Sequence, residues 1–176
     1  MACVAFLRGV NLGPNTRFQP SLLARQLTAF DAVNIGAAGT FVVRKTIAAS
    51  RLRAEILRRL PFKPEIMICP ARDLISLVES DPFHDHKIGR EMRAMVTVIA
   101  RPTMAALELP LCRPGKTHWE VKIIRVSGAL FLSLWRPTGG RILYPNEVVE
   151  TACGVPATTR SWNTIEKVVQ ILGSGD

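Results

Sequence analysis

The order of apolar segments across residues 3–70 constrains this chain more than any single motif. Cys3-Val4-Ala5-Phe6-Leu7 is an unbroken apolar run, the pattern of a buried strand, and it stops at Arg8-Gly9. Residues 10–19 include Asn11, Gly13, Pro14, Asn15 and Thr16, which marks a loop. Pro20 suits the first turn of a helix, with Leu22, Leu23, Leu27 and Phe30 expected along one face. Residues 32–35 and 40–43 then read as short strands around a turn at 36–39. Ala49, Leu52, Ile56, Leu57 and Leu60 repeat at helical spacing until Pro61, and residues 65–69 form one more strand before Pro70. Strand, helix, strand, strand, helix, strand is the order of a split βαβ unit, the ferredoxin-like arrangement. In that arrangement residues 3–7 and 65–69 are expected as neighbouring, parallel strands. Two helices on one face of four strands bury the apolar stripes, and the other face is left to solvent or to the second half.

The second half opens with a helix expected over residues 71–80, with Leu74, Ile75 and Val78 inward and a stop at Asp81-Pro82. Residues 92–100 read as a long buried strand, and a short helix is expected after Arg101-Pro102. Residues 121–126 and 129–135 flank Ser127-Gly128 as a hairpin connection. Helices are expected over 145–152 and along Ile165, Val168, Val169 and Leu172. The fold class expected is therefore α+β. A ferredoxin-like module in residues 1–69 would pack with a second, related α+β module in residues 70–176, or both would form one compact unit. With 176 residues and 48% hydrophobic content, such a chain can bury a core without metal or disulfide staples. It is too short for a TIM barrel. No apolar run is long enough to span a bilayer, and no membrane partner is expected. The apolar start lacks a basic leader and meets Arg8 at once, so it reads as a strand rather than a signal peptide, and a cytoplasmic address is expected.

Charge is lopsided. Residues 1–63 carry eight Arg and two Lys against Asp31 and Glu55, a net +8, out of +9 for the whole chain. Arginine dominates, and its planar fork suits phosphate or carboxylate. Such a balance points to an anionic ligand, a nucleic acid or an acidic partner, with a merely solubilising charge as the bland reading. The cysteines at 3, 69, 112 and 153 form no CxxC pair. Cys3 and Cys69 fall in strand-like runs, where thiols pack as small hydrophobes, while Cys112 and Cys153 lie near connections. No metal site and no cofactor are expected. His84-Asp85-His86 offers donors at alternate positions but completes no known ligand spacing, and a solvated loop explains it.

Two polar stretches stand out. The loop after the first strand places Arg8 and Arg17 about a helix N-terminus, where backbone amides can hold an anion, although neither GxxxxGK[ST] nor GxGxxG is present. Gly9 and Gly13 can equally serve tight turns. Thr158-Thr159-Arg160-Ser161-Trp162-Asn163-Thr164 precedes the last helix. There Asn163 can cap, with Glu166 in the capping-box position, and Trp162 can anchor the helix entry by packing. Arg160 is left over by that explanation. On the second helix, Glu55 can pair with Arg51 and Arg58, a solvated face. The strand order also invites an RNA-recognition reading. It would need stacking aromatics on the central strands, for which only Phe6 and Phe41 are on offer, and residues 39–44 echo that pattern faintly.

These two stretches carry a family resemblance. Leu7-Arg8-Gly9-Val10-Asn11-Leu12-Gly13 resembles the LRGxNxG opening of the bacterial domain-of-unknown-function family DUF 1697. Residues 154–164, Gly-Val-Pro-Ala-Thr-Thr-Arg-Ser-Trp-Asn-Thr, resemble that family's closing GxPATTRxWNT segment. The resemblance implies a small bacterial α/β protein of two related modules and brings no established activity. The chain departs from the pattern at three places. Ala38-Gly39-Thr40 stands where relatives have SGN, Ser161 stands within the RNWNT run, and Gly140-Arg141-Ile142-Leu143-Tyr144 replaces a GRSKL-like run. If the missing polar groups form a site in relatives, this chain carries an altered one.

The reading favoured on sequence is a non-enzymatic cytosolic module that binds an anionic ligand or partner, nucleic acid among them. Its candidate anion-binding residues are Arg8, Asn11, Arg17, Arg44, Arg160 and Asn163. The two motifs are expected to share a cleft, with Arg44 nearby. One alternative is an enzyme acting on a phosphorylated small molecule, oriented by Arg8, Asn11, Arg160 and Asn163, although no recognisable catalytic motif is present. Another is an interaction or assembly module whose basic face meets an acidic protein.

Overall fold

Strand β1 (Cys3–Arg8) is flanked on both sides and buried along nearly its whole length. The structure, a computed structural model, describes residues 1–10, 18–140 and 142–174. The chain divides into two units, Met1–Ser80 with Glu166–Asp176, and Asp81–Ile165.

In the first unit β1 is followed by α1 (Pro20–Gln26), a 3-10 turn (Thr28–Phe30), β2 (Ala32–Ile35), β3 (Thr40–Val43), α2 (Ala49–Arg59), β4 (Glu65–Pro70) and α3 (Ala71–Glu79). The strand order is β2-β3-β1-β4, that of the split βαβ unit. The expected adjacency of the first and fourth strands is present, with Ala5 opposite Ile68, but the pair is antiparallel. The connections explain the correction. A helical crossover returns the chain in the same direction, so β2 follows β1 and β4 follows β3, while the β2–β3 hairpin reverses it once.

Cys3, Ala5 and Leu7 face the helical layer and pack with Phe41, Val43, Leu23, Leu27, Leu52 and Ile56. Val4, Phe6, Val42 and Met67, which alternate with them, are equally buried, so neither face of the central strands is open. Helix α3 lies against β1 and β4 and buries Leu74 and Leu77. Leu22, expected on the inner face of α1, is instead 49% exposed. Leu23 and Leu27 are four residues apart and take the inward position, which turns their neighbour away from the core.

The second unit holds β5 (Arg93–Ile99), β6 (Leu111–Pro114), β7 (Trp119–Ser127), β8 (Leu130–Trp135), α4 (Pro145–Cys153) and β9 (Ala157–Ser161), and α5 (Trp162–Gly173) follows β9 without a loop. The sheet order is β6-β7-β8-β5-β9, antiparallel throughout. Val121, Ile123, Phe131 and Ile99 pack with Val148 and Val149 of α4. No helix forms after Arg101-Pro102; residues 102–108 are irregular and lead into β6. The β7–β8 turn is Gly128-Ala129, one residue later than expected, because Ser127 still pairs with Leu130. Gly128 takes φ +57 there, and a glycine at the first turn position suits a tight hairpin. No helix among the described residues is long and apolar enough to cross a membrane. Mixed α+β with two antiparallel sheets is thus the architecture, in line with the expected fold class.

Candidate functional site

Arg8 is the last residue of β1, half-buried and opposite Glu65 of β4. Just before it, the Leu7 N–H donates to the Gly39 carbonyl at 2.8 Å. Gly39 has φ +73, and a Cβ on it would lie 2.9 Å from Leu7 Cβ. The end of β1 therefore closes on the β2–β3 turn so tightly that only glycine fits. Of the Ala38-Gly39-Thr40 run, the glycine is the member this packing requires. Asn11 and Arg17, the loop candidates, lie outside the described residues.

Arg44 does not join Arg8. Val43 pairs with Cys3 at the start of β1, whereas Arg8 ends that strand, so the register separates the two arginines by roughly 17 Å or more along the sheet. Arg44 is instead forked onto Asp31, Nε to Oδ2 at 2.7 Å and Nη2 to Oδ1 at 2.9 Å. This ion pair holds the Asp31 carboxyl below its usual range.

Arg160 sits on β9 opposite Val96, 7% exposed. Its Nη1 donates to Thr158 Oγ1 and to the Thr159 carbonyl, both at 2.8 Å. Burial lowers its pKa to about 10. On the opposite parity of the strand, the Thr159 hydroxyl meets that of Thr97 at 2.8 Å. Asn163 is exposed in the first turn of α5 and is not its cap. Because β9 runs straight into the helix, the cap falls two residues earlier, on Ser161. Its Oγ accepts from the Thr164 N–H at 3.4 Å and lies 2.9 Å from the Thr164 hydroxyl. Trp162 packs edge-on against Phe83, ring centroids 5.1 Å apart, in line with an anchoring role.

Helix α2 of the first unit carries four arginines and one glutamate. Glu55 is bonded by Arg58 and Arg59, three and four residues ahead, which pull its pKa to about 2. Of the two expected partners, Arg58 pairs with Glu55, whereas Arg51 lies over the Phe30 ring, 5.9 Å from its centroid. Arg59 also donates to the Gln26 carbonyl and so ties α2 to the end of α1. Both carboxylates of residues 1–63 are thus engaged. Arg25, Arg51, Arg53 and Lys63 make no ion pair with a carboxylate among the described residues, and Lys45 acts on the already paired Asp31 only through space. Phe6 and Phe41, the would-be stacking platform, are both fully buried, so the central strands offer no base a surface. Cys3 and Cys69 are buried as well. Burial, with Asp73 and Cys3 nearby, pushes the Cys69 thiol up to about 12, so it is no nucleophile.

A second cationic cluster escapes sequence reading. The residues past 63 are nearly neutral in sum, yet Arg113, Lys116 and Lys122 gather with Trp119 in one cavity of about 640 Å³ beside β6. Arg136 lies over the same ring, its guanidinium carbon 4.4 Å from the centroid. The only local signal is three basic residues around the single Trp119 within residues 113–122. Arg136 reaches the cluster only through the β7–β8 pairing.

The family model described as "Protein of unknown function (DUF1697)" matches residues 1–124. Comparison with curated proteins finds no match. Among solved structures, the conserved bacterial protein SP0830 from Streptococcus pneumoniae is similar, with a TM-score of 0.62 at 15% identity. The likeness covers 97% of this chain and 98% of that one, and it is a likeness of fold.

Proposed function

The chain belongs to the DUF1697 family of proteins of unknown function, so kinship supplies no activity, and we propose that it is a binding module for an anionic partner, nucleic acid foremost. The observation that carries this reading is the charge left after pairing. In residues 1–63 the two carboxylates are already bonded by Arg44, Arg58 and Arg59, while Arg25, Lys45, Arg51, Arg53 and Lys63 make no direct ion pair. An excess of like charge raises the free energy of the bare protein and is relieved by a polyanion, which releases its counterions on contact. With Phe6 and Phe41 buried, the contact is to phosphates rather than to stacked bases at this layer. The half-buried Arg8, with Asn11 and Arg17, belongs to the same proposed set. Four free cysteines favour the reducing cytoplasm as the setting.

A labelled duplex titrated at rising salt tests the reading. Affinity is expected to fall steeply, with the logarithm of the binding constant linear in that of the salt concentration. Replacing Arg25, Arg51 and Arg53 by Gln flattens the slope by about 0.9 for each phosphate no longer neutralised. Absence of binding at low salt, or a slope near zero, overturns it.

A further inference from the structure

The cavity beside β6 lies wholly in the second unit, whereas the basic layer just described belongs to the first. Its walls combine two chemistries. Leu109 and Leu111 supply apolar surface, Trp119 an aromatic ring, and Arg113, Lys116 and Lys122 three cations against the single carboxylate of Glu108. The ring is held in place before any ligand arrives. Arg136 donates from Nη2 to the Trp119 carbonyl at 3.2 Å, its own N–H bonds the Glu120 carbonyl at 2.7 Å, and its guanidinium lies over the indole. Lys122 Nζ stands 5.9 Å from the same ring centroid. A fixed aromatic ring, with Arg136 stacked over it from outside the cavity lining and further cations within the cavity, is complementary to a molecule that has a flat apolar part joined to an anionic one.

We propose that this cavity is a nucleotide-binding site, with the base against Trp119 and the phosphate held by Arg113, Lys116 and Lys122. The cavity volume falls in the range of small-molecule sites, which suits one nucleotide unit. Stacking on an aromatic side chain tolerates any base, so the site selects nucleotides as a class rather than a sequence. The same chemistry serves a free mononucleotide or one unit of a single strand. An acidic peptide would satisfy the cations but leaves the ring and the apolar wall without a flat partner.

Binding of adenosine monophosphate and of a short oligothymidylate, followed by titration calorimetry, tests the site, with inorganic phosphate and polyglutamate as comparison ligands. Saturable binding of at least one nucleotide ligand is expected, weakened about fivefold or more in Trp119→Leu. Lys116 is exposed, so Lys116→Glu leaves the fold intact and weakens binding even if the tryptophan variant fails to fold. With both ligands measured in the variant lacking Arg25, Arg51 and Arg53, tighter binding of the oligomer identifies a single strand as the source, and tighter binding of the monophosphate identifies the free nucleotide. The Arg25, Arg51 and Arg53 substitutions leave adenosine monophosphate affinity unchanged, which separates this site from the basic layer. No saturable binding of either ligand overturns the proposal. So does unchanged affinity in Lys116→Glu, or inorganic phosphate or polyglutamate binding as tightly as the nucleotides.

Discussion

Arg44 and Asp31 are joined three times over: two parallel side-chain bonds of 2.7 and 2.9 Å, and the Arg44 N–H on the Asp31 carbonyl at 3.3 Å. Asp31 takes the left-handed conformation, φ 52, at the end of the 3-10 turn, where the chain enters β2. The pair therefore fastens the turn to the far end of β3, and a fork of this geometry carries direction as well as charge. Asn tolerates the same backbone, so Asp31→Asn isolates the loss of charge. A lower Tm than the parent is expected at neutral pH. The folded pKa lies below the ordinary 3.8, so the ion pair's contribution is present above that pH and is lost as the pH falls through the folded value. Melting curves at neutral and strongly acidic pH should show the two proteins converging in acid; a constant gap rejects this account.

Glu55 makes a sharper acid probe. The bonds from Arg59 and Arg58 lower its pKa from 4.5 to about 2. The carboxylate then stabilises the fold fully above about pH 4.5, and that stability drains away as the pH drops toward 2. In Glu55→Gln this share of the acid sensitivity is absent. Urea midpoints measured at closely spaced pH values should fall less steeply over that window in the variant, and equal slopes would remove Glu55 from the acid response.

Gly39 and Gly36 share the β2–β3 turn and similar φ values, +73 and +66, but not their surroundings. A Cβ at Gly36 meets nothing within 4 Å, whereas at Gly39 it strikes Leu7 Cβ, an atom at the root of its side chain that cannot swing aside. Gly36→Ala should cost about 1–2 kcal/mol, the left-handed penalty alone. Gly39→Ala adds a clash against a strand locked between two neighbours and should cost clearly more. Chemical denaturation of the two variants decides it, and equal losses would show that the turn relaxes freely.

Much of the first unit is legible from residue order because its strands are apolar runs cut off by proline or glycine, as in residues 40–43 and in the stop at Pro70. The direction of β4 is also recoverable, since it follows from counting crossovers and hairpins, whereas adjacency alone says nothing about direction. The second unit hides two strands. Leu111-Cys112-Arg113-Pro114 has no alternation to betray β6, and Ala157-Thr158-Thr159-Arg160-Ser161 reads as polar loop until β5 is beside it. Thr159 becomes strand-like because Thr97, distant in sequence, satisfies its hydroxyl. Charges can be counted in a sequence, but their pairing cannot. Arg44 finds Asp31 through the β2–β3 register, and Arg59 takes Glu55 where Arg51 was expected. Residues that act through register, such as Arg136 over Trp119, are out of reach of local pattern.

The entry to α5 separates two residues that look interchangeable in the sequence. Both Ser161 and Asn163 are good capping types, three residues before Thr164 and Glu166 respectively. The fold assigns the role to Ser161 because β9 hands over to the helix at that residue, leaving Thr164 as the third helical position, whose N–H needs an acceptor. The 3.4 Å distance makes this a long bond, so Ser161→Ala should cost about 0.5–1 kcal/mol, the low end of the capping range. Asn163 is exposed and inside the helix, where Ala is the better helix former. Asn163→Ala should therefore be neutral to slightly stabilising, within about 0.5 kcal/mol. The double variant should equal the sum of the two, since the side chains have no bond between them. Equilibrium unfolding of the three proteins measures this directly. A larger loss in Asn163→Ala than in Ser161→Ala would move the cap back to Asn163 and start the helix later than β9 allows.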